Sequence, residues 1–149
     1  TTIEERLALE RLLNDPVPNN VAFHDRAIVH NKLLHTKAYT RVRKRNSSAV
    51  VVFNDGSFGI ITRICIIEGT CFIIYIPVVL YDHRRIITDR QTGSSAPHIK
   101  VVRCVSEVLG ACKATATTNK CIFIENKRIF PDSFICMFPN TIESDYILP

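Results

Sequence analysis

From residue 49 to residue 138 the chain is a succession of short apolar runs, each closed by a turn signal, and this spacing leaves few folds open. Ala49-Val50-Val51-Val52-Phe53 runs into Asn54-Asp55-Gly56-Ser57. Gly tolerates the positive φ that a tight type I′ turn demands, so the spacing predicts a hairpin between strands over 49–54 and 58–67. Gly59, inside the second strand, predicts a bulge or a sharp bend. Glu68-Gly69-Thr70 marks the next turn and 71–80 the next strand. Pro77 lacks an N–H, which places that part of the strand at an edge or a bulge. Further strands are expected over 99–105, 120–125 and 133–138, with a weaker candidate over 112–117. Asn126-Lys127 turns the fifth strand. Five or six short, mostly sequential strands predict a mainly β fold, a small antiparallel SH3-like barrel or a strongly curled sheet, because closing the sheet removes exposed edges.

Ahead of this β region, residues 2–13 predict a helical arm. Thr2 is the N-cap, and Glu5 stands at the capping-box spacing. Ile3, Leu7 and Leu13 fall roughly along one face, with Leu9 and Leu12 beside it. Asn14-Asp15-Pro16-Val17-Pro18-Asn19-Asn20 ends the helix, since proline opposes its continuation. Within 21–46, Ala27-Ile28-Val29 and Leu33-Leu34 fit either short strands or a short helix. The expected division is thus helix and linker over 1–20, a basic arm over 21–48, and a β-barrel domain over 49–149. That domain carries one long loop at 81–98, of a length often tied to function.

Charge is concentrated in the arm. Residues 26–45 contain Arg26, Lys32, Lys37, Arg41, Arg43, Lys44 and Arg45 and no acidic residue, in a chain of net charge +5. Residues 1–25 hold two basic and five acidic side chains, and 46–149 ten and nine. Such a segment attracts phosphates or an acidic protein surface, or is a solvated basic face. If Tyr39–Arg45 is extended, Arg41, Arg43 and Arg45 share one face, with Lys44 on the other. Three arginines in a row suit bidentate phosphate contacts, and Tyr39 adds a stacking group. His83-Arg84-Arg85, with Arg90, forms a second basic cluster in the long loop; the bland reading is that such residues keep strand edges soluble. Tyr39, Arg41, Arg43, Lys44, Arg45, Arg84 and Arg85 are the candidate nucleic-acid contacts. DNA or chromatin is the expected partner, and the nucleus the expected compartment, with the cytoplasm the other. Phe58, Phe72, Tyr75 and Tyr81 are candidates for a peptide-binding mouth, with core packing the expected role of most.

Catalytic and metal chemistry find little footing. The closest cysteines, Cys65 and Cys71, lack the C-x-x-C spacing of structural zinc sites, and His30 and His35, five positions apart, have no close cysteine pair beside them. Cys104 with His98 lacks any nucleophile turn or oxyanion hole. Asp82 with Asp89 and Glu143 with Asp145 lie in loop or tail. Five glycines form no phosphate-binding motif. No cofactor, metal, small-molecule substrate or enzymatic activity is expected. The six cysteines fall mostly in apolar runs, as in Ile64-Cys65-Ile66, and read as reduced core residues of a cytosolic or nuclear protein. No apolar run reaches the roughly 18–20 residues of a membrane helix.

Two resemblances follow. His24–Arg45 leading into Asn46-Ser47-Ser48, then Gly56-Ser57-Phe58-Gly59-Ile60-Ile61, Pro97-His98-Ile99, Lys120-Cys121-Ile122-Phe123-Ile124 and Met137–Asp145, in that order, resembles the C-terminal region of large proteins encoded by eukaryotic DNA transposons of the CACTA/EnSpm type. It spans roughly residues 20–146. The catalytic residues of those proteins lie in a separate upstream domain, so the resemblance implies an accessory region. Gly59–Ile67, Cys71–Tyr75 and Lys120–Ile124 also resemble successive strands of the bromo-adjacent homology domain, a β-rich chromatin module, which implies a BAH-like barrel. This chain lacks Trp, and the aromatic methyl-lysine cage of that family has no counterpart. The second functional expectation is a protein-interaction module that uses an exposed sheet edge or the barrel mouth without touching nucleic acid.

Overall fold

The computed structural model describes residues 2–38, 47–81, 99–124 and 133–137. One helix, α1 (Ile3–Leu13), precedes the strands β1 (Ala22–His24), β2 (Arg26–Val29), β3 (Lys32–His35), β4 (Ser47–Phe53), β5 (Phe58–Ile67), β6 (Thr70–Leu80), β7 (Ile99–Val105), β8 (Gly110–Lys113), β9 (Thr117–Ile124) and β10 (Ser133–Met137). A 3₁₀ turn at Ala114–Ala116 separates β8 from β9, so the weak strand expected over 112–117 is the end of one strand and a turn.

An eight-stranded antiparallel sheet runs β1-β5-β4-β9-β10-β7-β6-β8, and β5 also pairs with β6. Strands β5, β4, β9, β10, β7 and β6 therefore form a closed ring of six. Single-residue register shifts bend it: Thr62 is the extra residue between Ile61 and Arg63, and further shifts fall in the β4–β9 and β6–β7 ladders. An extra residue kinks its strand and increases twist, which a ring this small needs. Inside the ring pack Val50, Phe58, Ile60, Val78, Val102, Cys121 and Ile135.

The β5–β6 hairpin is longer than the ring. Its far half pairs with β1 on one side and β8 on the other, making a four-stranded extension covered on both faces. On one face α1 sets Ala8 and Leu9 against Cys65, Phe72 and Ile74. On the other, the β2–β3 hairpin sets Leu34 against Ile61, Ile64 and Ile73. β6 serves both layers, because neighbouring strand residues face opposite ways. Thr62 marks the junction; its Oγ1 donates to the Ile74 carbonyl at 3.1 Å. Beyond that bulge the alternation of β5 inverts, which turns Cys65 to the helix and Ile64 to the hairpin.

The turns differ from expectation in an instructive way. At 54–57 only Gly56 has positive φ (84°); its N–H donates to the Phe53 carbonyl at 2.9 Å, and Phe53 N–H donates to the Ser57 carbonyl at 2.9 Å. That is a type I turn followed by a left-handed glycine rather than type I′. Positive φ at both central residues occurs instead at Glu68-Gly69 (50° and 79°) and at His30-Asn31 (49° and 63°). Gly59 does not carry the bulge. It pairs regularly with Val51 and Pro77, and a Cβ there would stand 2.6 Å from Tyr75 Cδ2 and 2.8 Å from Phe53 Cε2. Glycine is present because two rings lie on the backbone. Pro77 falls where β6 passes from β8 (residues 72–75) to β7 (78–80), so its missing N–H interrupts no ladder.

In α1 the Thr2 side chain accepts from Glu5 N–H at 3.1 Å, and left-handed Asn14 ends the helix by donating to the Glu10 carbonyl. Its buried face is Glu5, Ala8 and Leu9, while Ile3 and Leu7 point to solvent at 77% and 47% exposure. The Glu5 carboxylate explains the rotation. Instead of closing a capping box it accepts from Arg63 Nε at 3.0 Å, across to β5. Removing Arg63 would leave that carboxylate enclosed without its cation. Arg63→Met is expected to cost about 2 kcal/mol, below the range for fully enclosed pairs because one side of the guanidinium meets water. Urea unfolding checks this, and Glu5→Gln in the same chain should return part of the loss.

Candidate nucleic-acid interface

The structure describes both sides of the basic segment. On the N-terminal side, β2 and β3 pair Arg26 with His35, Ala27 with Leu34, Ile28 with Leu33, and Val29 with Lys32 around the His30-Asn31 turn. Ala27, Val29 and Leu34 face the sheet, and Leu34 is only 1% exposed. Thr36, fully buried, follows directly. Its N–H donates to the Asp25 carbonyl at 2.8 Å, and its hydroxyl donates to Asp25 Oδ1 at 3.4 Å. The chain is thus fastened one residue before Lys37. Asp25 is the only acidic residue from 16 to 54, and one of its carboxylate oxygens accepts from Thr36. On the C-terminal side, β4 begins at Ser47, paired with Phe123 of β9.

Tyr39, Arg41, Arg43, Lys44 and Arg45 lie outside the described residues, as do Arg84 and Arg85 with the rest of 82–98. What is described is where the two segments attach. In an antiparallel ring each connection belongs to one end or the other. The segment before Ser47 joins at the end that also holds the β5–β6 turn. The segment between Leu80 and Ile99 joins at the opposite end, with the β4–β5 turn. The described strand ends next to the two basic clusters, Ser47 and Leu80, therefore lie at opposite ends of the ring.

His35 stands on β3 opposite Arg26 and near Lys120 of β9. Burial first, and the Lys120 charge second, hold its imidazole below the usual value of 6.5. The folded state therefore binds this proton less readily than the unfolded chain. The resulting stability is present above pH 6.5 and is lost as pH falls through the depressed pKa. Thermal unfolding is expected at lower temperature at pH 5 than at pH 7.5, with the difference reduced in His35→Gln.

Phe58 and Phe72 are core residues, while Tyr75 and Tyr81 are half-buried, so none of the four stands fully exposed at a mouth. Cys65 and Cys121 are buried, Cys71, Cys112 and Cys136 half-buried, and Cys104 exposed; all six are free thiols. Burial raises Cys65 to about 11 and Cys112 and Cys121 to about 12, which leaves almost no thiolate at neutral pH. Cys65 faces the helix layer and Cys71 the hairpin layer, so they do not share a site. Among the described residues no group of three or more His, Cys, Asp or Glu side chains is placed to hold a metal ion, and no helix is long and apolar enough to cross a membrane. His98, Asp82, Asp89, Glu143 and Asp145 lie outside the described residues.

The fold defines a mainly β, antiparallel protein with one N-terminal helix and a basic hairpin fixed to its side. Compared with protein-family models, curated proteins and solved structures, the chain finds no match. The hairpin was the element hardest to foresee. Arg26-Ala27-Ile28-Val29 and Lys32-Leu33-Leu34-His35 are short apolar-containing runs around a two-residue turn, and neither alternates clearly enough to choose a strand over a helix.

Proposed function

We propose that this protein is a non-catalytic nucleic-acid or chromatin binding module, with Arg41, Arg43, Lys44 and Arg45 as its main phosphate contacts, Tyr39 stacking beside them, and Arg84 and Arg85 secondary. The observation that supports it best is the setting of the basic segment. It leaves a hairpin anchored by buried Leu34 and Thr36, in a stretch that holds a single acid, Asp25, from 16 to 54. An anchored root lowers the entropy lost when the arginines settle on a phosphate backbone. The six-strand ring is compatible with a small SH3-like or BAH-like barrel, and the resemblance to CACTA/EnSpm-type transposon proteins fits an accessory module working in the nucleus.

Fluorescence anisotropy with a labelled duplex across a salt series tests this. Changing Arg41, Arg43, Lys44 and Arg45 to Ser should weaken binding and reduce the slope of log K against log salt by about 3 to 4, roughly 0.9 per phosphate contact. Absence of binding at low salt, or a slope unchanged in the variant, would refute the proposal. Edge pairing with another protein has less room here: the sheet ends in β1, three residues long, and β8, four residues long, and short edges resist strand addition.

A further inference from the structure

The β2–β3 hairpin is a two-stranded ribbon with two distinct faces. The inner face is spent on the sheet through Ala27, Val29 and Leu34. Strand alternation and exposure place Arg26, Ile28 and Leu33 on the outer face, while His35 is half-buried beside Lys120. There Ile28 and Leu33 are cross-strand partners, exposed to 75% and 41%. The inner face already holds the hairpin in place, so attachment of the hairpin does not require this outward apolar pair. The ribbon's own sequence is cationic: Arg26 on the same face, Lys32 at the turn, Lys37 just beyond β3, and no acidic residue from 26 to 38, with Asp25 immediately before it. The tight His30-Asn31 turn, with both residues at positive φ, keeps the ribbon narrow at its tip.

We infer that this outer face enters the major groove of duplex DNA and reads thymine, with Ile28 and Leu33 against C5 methyl groups and Arg26 on the flanking phosphate. The inference rests on the DNA-binding reading above and adds an element that recognises bases. Three things favour DNA as the occupant. The major groove, about 12 Å wide, admits a two-stranded β-ribbon. The thymine methyl is the one apolar group on its floor, and an outward Ile–Leu pair matches it. The positive rim complements the phosphates on either side, and the same polypeptide continues into the arginine-rich segment. An acidic, apolar peptide is the competing occupant that the test addresses.

Duplexes enriched by the full chain from a random pool supply the ligand. Anisotropy is then measured on the tightest duplex and on the same duplex with deoxyuridine in place of thymidine, which keeps base pairing and removes only the methyl groups. The unmodified protein should lose about fourfold in affinity for each methyl it covers. Ile28→Ser with Leu33→Ser should bind both duplexes alike, at the affinity of the unmodified protein for the deoxyuridine duplex. Both side chains are exposed, and thermal unfolding confirms that the variant is folded. Equal affinity of the unmodified protein for the two duplexes, with salt-dependent binding intact, overturns the thymine-reading ribbon and leaves the phosphate-binding proposal standing. The same holds if the double variant keeps the full thymine preference, the result expected if the Ile–Leu pair serves a peptide. Failure to bind any duplex at low salt overturns both.

Discussion

Truncating Ile73 to alanine is expected to cost about 2–5 kcal/mol and to loosen the β2–β3 hairpin; truncating its neighbour Ile74 is expected to cost as much and to loosen α1 instead. Both side chains are fully buried, but they serve opposite layers. Ile73 packs with Leu34, Val51, Ile61 and Ile64 under the hairpin. Ile74 packs with Ala8, Leu9, Cys65 and Phe72 under the helix. A cavity in a close-packed interior relaxes only in part, so the loss concentrates in whichever layer has least else to hold it. Among the described residues the hairpin pairs with no other strand, and α1 is tied down by Ala8, Leu9, the Glu5–Arg63 pair and the Arg11 hydrogen bond to the Leu109 carbonyl. Native-state hydrogen exchange separates the two cases. In Ile73→Ala the amides of 26–35 should exchange faster relative to those of α1, and in Ile74→Ala the order should reverse. Equal loosening of both segments in both variants would mean that the extension is one cooperative layer, against the two-sided packing described here.

The second large effect is expected at the glycines beneath Tyr75. Gly59→Ala should cost about 1–3 kcal/mol from overpacking, and Gly110→Ala a similar amount. A Cβ at Gly110 would stand 2.6 Å from Tyr75 Cζ and 2.7 Å from its Oη, while one at Gly59 would meet Tyr75 Cδ2 at 2.6 Å and Phe53 at 2.8 Å. The ring spans both glycines and leans on Phe53, with centroids 4.4 Å apart, so it cannot swing from one clash without meeting the other. A thermodynamic cycle with Tyr75→Ala gives the test. Without the ring, Gly110→Ala should become neutral or slightly stabilising, since alanine narrows the unfolded ensemble. Gly59→Ala should keep part of its penalty, because Phe53 remains. A Gly110→Ala cost unchanged by loss of the ring would mean that backbone conformation, rather than the tyrosine, demands glycine there.

These two glycines show how unevenly the fold was written in the sequence. Strands 58–67 and 99–105 are legible to the residue, because an apolar run between turn signals is a local property. The helix is legible too, since Thr2 and Asn14 act on neighbours three and four residues away. Gly59 was visible as an anomaly but not as what it is. Its meaning depends on Phe53 and Tyr75, brought over it by the pairing of three strands. The bulge falls at Thr62, a residue with no local mark, because ring closure and the doubled packing of β5 require an inversion there. The same holds for the helix face: Ile3 and Leu7 have the right spacing, but Arg63 captures Glu5 and turns the other side inward. Of the interface, the arginine-rich composition was open to reading from the start. The hairpin that anchors it was not, since four-residue runs carry too little periodicity to choose between strand and helix.

By itself, then, the amino-acid sequence determined the elements and the charge: a capped helix, a series of β-strands, and one segment almost without acid. Each follows from interactions within a few residues along the chain. Only the tertiary structure decided that six strands close into a ring, that the longest hairpin continues beyond it between a helix and a second hairpin, and that Ile28 and Leu33 are left facing outward. Those outcomes depend on which faces find partners across the fold, and an apolar residue reads the same in sequence whether its partner is core or solvent.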